Sequence, residues 1–206
     1  MPHHLRAALW TLPLAFGLWY FTFAVASGNF WLKLCSSALL LSLIGLALSR
    51  NAWRDLFRFR RRDLWLSPAS AILLYGMFWV GKEVSSVILP FASREISGIY
   101  LIRTQLDPVV IGFLLMLVMG PAEEIYWHGF VQRNLAASWG PLRGLLVTTG
   151  LYAGVHVSSL NVTLVMAAAV CGLFWGWLYQ REQSLVPVIL SHSLWDLAIF
   201  VLFPLG

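Results

Sequence analysis

Eight ionisable side chains lie inside long apolar runs: Lys82, Glu83, Glu123, Glu124, His128, His156, His192 and Asp196. Such groups are expensive in an apolar surround and are functional candidates by default. The chain has five histidines. His3 and His4 are adjacent near the N-terminus, and the other three all belong to this set. Carboxylates and imidazoles are the side chains that move protons near neutral pH, so the chemistry indicated is activation of water by a general base. Glu124 and His128 are four residues apart, as are His192 and Asp196, and in a helix each pair shares a face. Glu123 is rotated about 100° from Glu124 and presents a separate carboxylate. Two adjacent buried glutamates near histidines are expected to have perturbed proton affinities, as a base requires.

The elements that carry these residues follow from composition. The chain has 206 residues, 59% hydrophobic and only 11% charged, with a mean hydropathy of +0.76. So few charges cannot coat a soluble globule of this size. Two cysteines, Cys35 and Cys171, do not make a disulfide framework. The expectation is an all-α, polytopic transmembrane helical bundle of about seven spans, six to eight, forming one integral-membrane domain over 1–206. The runs are Ala7 to Ala26, Leu34 to Ser49, Leu64 to Pro90, Pro108 to Asn134, Gly144 to Leu160, Val162 to Tyr179, and Ser184 to Phe203. Ala24-Val25-Ala26 has the form of a signal-peptidase site, but the first run is long for a signal segment and is read as an uncleaved span. Polar loops are expected at Arg50 to Asp63 and at Ser93 to Asp107. A rise of about 1.5 Å per residue puts Glu123, His156 and His192 at similar depth, roughly 12–18 Å from one end of their spans.

The formal net charge is +5. Six arginines (50, 54, 58, 60, 61 and 62) are crowded between the second and third runs. Such a segment reads as a topology determinant or a contact with anionic headgroups, not as a nucleic-acid surface. With the N-terminus cytoplasmic, these arginines, Arg6, Arg133, Arg143 and Arg181 all fall on the cytoplasmic side, while Lys33, Arg94 and Arg103 fall outside. Trp53 and Trp65 flank the basic segment as interfacial aromatics.

Three motifs occur in order. They are Glu123-Glu124-Ile125-Tyr126-Trp127-His128-Gly129-Phe130, Tyr152-Ala153-Gly154-Val155-His156, and His192-Ser193-Leu194-Trp195-Asp196. Together they resemble the CAAX prenyl endopeptidase and bacteriocin-processing family of intramembrane proteases. The Gly172-to-Tyr179 stretch between the last two is similar to that family as well. The resemblance covers about 108–203, taken as the motif-bearing half. It implies hydrolysis of a peptide bond in or beside the membrane by a glutamate-type mechanism. His128 stands where the family carries an arginine. An arginine is a permanent cation, whereas His128 is one only when protonated, so pairing with Glu124 is expected to be sensitive to pH.

Water attacks an amide only if a base takes its proton and the oxyanion is stabilised. Glu123 is the expected base, assisted by His156. His192 and Asp196 are expected to hold the water or the oxyanion, with Asp196 orienting His192 because an ionised carboxylate donates no hydrogen bond. Glu124 completes the catalytic set and His128 supports it. A covalent nucleophile is not indicated, since no cysteine neighbours a histidine and no Ser-His-Asp order occurs. No cofactor is expected. Zinc held by Glu123, His156 and His192 is the metal alternative, although HExxH is absent. Lys82 and Glu83 read as structural, the cysteines as small packers, and Trp175 and Trp177 as core or lipid-facing. The reading is a multi-pass endopeptidase of a prokaryotic cell (inner) membrane. Its partners are a membrane-associated peptide or protein substrate and the lipid bilayer. The alternatives are a non-enzymatic immunity or assembly factor of the same fold, and a proton-coupled transporter. A cysteine replacing Arg58 or Arg61 is expected to resist an impermeant thiol reagent in intact cells and to react after lysis. Labelling of intact cells would invert the topology.

Overall fold

The computed structural model describes residues 2–49 and 53–206. Arg50 lies outside the described residues, as does the side chain of Trp53. The described residues form helices and no strand. In chain order they are α1 (His3–Ala24), α2 (Phe30–Leu48), α3 (Trp53–Leu56), α4 (Asp63–Ile88) and α5 (Ala92–Tyr100). There follow α6 (Pro108–Trp139), α7 (Pro141–Val155), α8 (Val162–Glu182) and α9 (Val186–Leu202). Among the described residues, five of these, α1, α2, α4, α6 and α8, are long and apolar enough to cross a membrane. Of the seven runs, the two that fall short are α7, of 15 residues, and α9. The protein is an integral membrane protein.

Several boundaries depart from the expectation by a few residues, and three departures have a clear physical cause. The second run begins at Phe30 rather than Leu34, so Lys33 lies inside α2 and is 9% exposed. It stays there because its ammonium donates to the carbonyls of Phe21 and Val25 at the end of α1. Carbonyls at the C-terminal end of a helix lack a partner in the following turn and are open to such a donor. The segment expected as a polar loop from Ser93 contains α5 and a 3₁₀ turn, Leu101–Gln105. Ile96, Ile99 and Tyr100 recur at helical spacing there, a stripe easily missed among polar neighbours. The fifth run leaves the α form at Val155, and His156 opens a 3₁₀ turn, His156–Ser159. Leu160 is left-handed, and the Asn161 side chain then caps α8 by accepting from Leu164 N–H at 2.8 Å.

The core is aromatic. Trp19, Trp31, Trp127, Trp175, Tyr126 and Phe130 are among the largest fully buried side chains. Polar ties run through it. Tyr126 donates to Thr11 Oγ1 at 2.9 Å, joining α6 to α1. Ser70 of α4 and the indole N–H of Trp175 of α8 both donate to Ser191 Oγ of α9. Such pairs satisfy groups that lipid cannot.

The basic segment is also tied down. Arg60 and Arg62 both contact the carboxylate of Glu182, which is 4% exposed at the end of α8. The Leu185 N–H donates to the Leu56 carbonyl at 2.7 Å. At the other end of α8, Glu95 of α5 accepts from the N–H and hydroxyl of Thr163, each at 2.8 Å. Burial pushes the Glu95 carboxyl up, but these bonds outweigh it and hold it below the ordinary glutamate value.

α6 is the element that positions the chemistry. Asp107 caps it by accepting from Val109 N–H, and Pro108 fills its first turn. Its α-helical middle, Gly120–Glu124, lies between two π-helical stretches, Leu115–Met119 and Ile125–Gln132. Pro121 has no N–H for the preceding turn, and wider turns accommodate such a break. Gly120 lets α9 approach. A Cβ there would lie 2.3 Å from Ser193 Oγ and 3.1 Å from Ser193 Cα. Gly120→Ala is therefore expected to destabilise the protein by about 1–3 kcal/mol. Ser193→Gly in the same chain should recover part of that loss. Thermal unfolding in detergent checks both, and an undiminished midpoint for Gly120→Ala would show that the helices are not held this close.

Candidate active site

The adjacent carboxylates of α6 point in different directions. Glu124 is 1% exposed and lies between two imidazoles. His128 Nδ1–H donates to Glu124 Oε2 at 2.5 Å, and His192 Nδ1–H donates to Oε1 at 2.7 Å. The first bond closes the i, i+4 pair seen in the sequence. The second joins α6 to α9. A neutral histidine with its hydrogen on Nδ1 makes the same bond, so hydrogen bonding to Glu124 does not require protonated His128. Trp175 stacks on His192 with centroids 3.7 Å apart and planes 19° apart. The His192 ring is thus fixed at an edge by Glu124 and on a face by Trp175.

Glu123 faces the other way, into a cavity of about 130 Å³. The Tyr152 hydroxyl donates to Glu123 Oε2 at 2.6 Å. His192 Nε2 lies 4.0 Å from the same oxygen and 3.4 Å from Asp196 Oδ2. Glu123, His156, His192 and Asp196 all line the cavity, with Tyr152 and Cys171 beside them. Glu124 and His128 stand behind that wall. The sequence reading gave Asp196 the task of orienting His192. In the structure the hydrogen bond that fixes the ring comes from Glu124, and Asp196 faces the opposite nitrogen.

His156 is brought to the cavity wall but is held apart from the carboxylates. Its Nδ1–H donates to the Tyr152 carbonyl at 2.8 Å, and its Nε2 accepts from the Trp19 indole N–H at 3.3 Å. Among the described residues, no group of three His, Cys, Asp or Glu side chains is arranged to hold a metal ion. With both His156 nitrogens engaged by the protein, Glu123, His156 and His192 do not converge as a ligand set here.

A second cavity, of about 290 Å³, is almost wholly apolar and lies between α4, α5, α8 and α9. It shares Ile99, Leu164, Ala167, Trp195 and Phe200 with the first. Lys82 lines it and lies 3.6 Å from Glu83. Cys35 and Cys171 are buried free thiols. Trp175 belongs to the core, whereas Trp177 is 49% exposed. Two residues that touch the site carried no role in the sequence reading. Tyr152 precedes His156 by one helical turn, a spacing visible in the motif. Trp19 comes from α1, where no motif marks it.

Fold and site define an all-helical membrane protein with a buried carboxylate–imidazole centre. Residues 105–198, just under half of the chain, match the family model of the Type II CAAX prenyl endopeptidase Rce1-like proteins. The matched segment contains all six site residues named from the sequence, and it supports the CAAX-protease family and, at a coarse level, a hydrolase. No curated protein and no solved structure matches the chain. Tyr152→Phe leaves a buried carboxylate oxygen without its donor and is expected to cost about 1–3 kcal/mol of stability. Unfolding in detergent reads this directly. A midpoint equal to that of the unsubstituted protein would mean that the hydroxyl does not hold Glu123.

Proposed function

We propose that this chain is an intramembrane endopeptidase that cleaves a membrane-associated peptide or protein by direct attack of water. The observation that carries this reading is the facing of Glu123 Oε2 and His192 Nε2, 4.0 Å apart at the wall of one cavity. That spacing leaves room for an oxygen to contact both groups. Glu123 takes a proton from water as its oxygen bonds to the substrate's carbonyl carbon. His192, donating from Nε2, holds the oxygen that gains the negative charge, with Glu124 and Asp196 as its counter-ions. Glu123 then gives its proton to the amide nitrogen as the carbon–nitrogen bond breaks, leaving a carboxyl and an amine. His156 and Tyr152 keep the Glu123 side of the cavity in place. The apolar cavity, sharing a wall with the first, suits a hydrophobic part of the substrate. The matched family's description is that of a CAAX prenyl endopeptidase, and a prenylated C-terminus is one such substrate. Peptide precursors and C-terminal sorting anchors present the same combination of scissile bond and apolar flank. The location that belongs to this reading is a prokaryotic cell membrane.

Glu123→Gln keeps the size and hydrogen-bonding capacity of the side chain but removes the basic carboxylate. It is expected to lower turnover by about 10²–10⁴-fold while the protein stays folded. Comparing the termini of the membrane proteome with the unsubstituted chain and with Glu123→Gln identifies the substrate and reads the loss together. Identical termini in the two membranes, or near-normal cleavage by the variant, would remove Glu123 from the role of base.

A further inference from the structure

Trp19 lies in α1, outside the segment that matches the family model and far in sequence from every residue of the site. It is nonetheless 1% exposed and surrounded by the site's aromatic wall. Its ring meets Trp127 edge-on with centroids 6.2 Å apart, and His156 edge-on at 6.1 Å. Trp127 meets Tyr152 at 5.4 Å, and Tyr152 meets His156 at 5.0 Å. Four rings from α1, α6, α7 and the turn after it therefore pack as one unit. Phe23, one turn further along α1, contacts the same imidazole at 5.6 Å.

We infer that Trp19 is a positioning residue that keeps His156 neutral at Nε2 and fixes the orientation of its ring. Indole nitrogen is a donor only. Donating to Nε2 at 3.3 Å, it requires that nitrogen to present a lone pair. The hydrogen must then be on Nδ1, where the Tyr152 carbonyl accepts it at 2.8 Å. The two contacts agree on one neutral tautomer. An imidazolium would set an N–H against the indole N–H. With His156 held neutral and both nitrogens occupied, the proton falls to a carboxylate of the cavity wall, in keeping with the role proposed for Glu123. The first helix thereby supplies a partner for a histidine of the matched half, fixing its ring as partners beyond the first shell do elsewhere.

The inference rests on the reading of Glu123 and His156 as parts of a hydrolytic site, and the test separates the two. Trp19→Phe keeps an aromatic ring and removes the N–H. Benzothienylalanine at position 19 keeps the bicyclic shape and also removes the N–H. Each is compared with the unsubstituted protein by ¹⁵N spectroscopy of labelled histidine, with His156→Gln identifying the signal. Cleavage is read as the proportion of product termini in membranes. The expected result is a hydrogen-bonded Nε2 acceptor signal in the unsubstituted protein that shifts in both variants. Cleavage should fall by about tenfold or more in both, the scale on which metal-bound histidines respond to loss of an orienting partner. A packing role alone would spare the benzothienylalanine protein and leave its histidine signal in place. An unchanged signal, or full cleavage with the benzothienyl ring, would overturn the inference while Glu123→Gln stays inactive. An active Glu123→Gln would instead overturn the reading of the site on which the inference rests.

Discussion

A carboxylate with almost no exposure must be met on both oxygens, and Glu124 is met by two imidazoles. One comes from its own helix and the other from α9. Leaving such a group unpaired in an apolar interior costs several kcal/mol, so the pairing constrains everything around it. It fixes where α9 sits on α6, and Gly120 opposite Ser193 makes that approach sterically possible. It fixes which nitrogen of His192 is left to face the cavity. Trp175 stacked on the ring, with its own N–H on Ser191, extends the constraint to α8.

The neighbouring glutamates divide the work because a helix turns by about 100° per residue. Glu124 is directed into the protein and organises it. Glu123 is directed into the cavity, where Tyr152 holds one oxygen and His192 stands across a gap. A pair that looks redundant in sequence is therefore one carboxylate paired inside the protein beside one that faces the cavity. The π-helical stretches on either side let this segment keep an uninterrupted helix despite Pro121.

The helices were legible because apolar runs bounded by charge leave few other readings. The site residues were legible because ionisable groups are rare within those runs. Helical spacing anticipated the Glu124–His128 pair correctly. What spacing could not give was contact between helices. It placed Asp196 next to His192 as its orienting group, since both lie on one face, while the better-placed acceptor came from α6. The capture of Lys33 inside α2 and the helical stripe of α5 were hidden for a related reason. Charge was taken to end a span, but an ammonium is tolerated where another helix offers free carbonyls. Trp19 was not legible, because a tryptophan in an apolar run reads as packing until its neighbours are known.

Residues that meet at the centre are far apart in the chain, from Trp19 to His192, and α9 follows α6 with two helices between them. Until α9 has been made, Glu124 therefore has no help from that helix. His128 is one turn away and can donate as soon as α6 has formed, so the local bond shields the carboxylate while the segment enters the bilayer. The second imidazole arrives only when the bundle closes. The two bonds to Glu124 thus differ in kind: the one from His128 needs only a formed turn of α6, and the one from His192 needs the packed bundle.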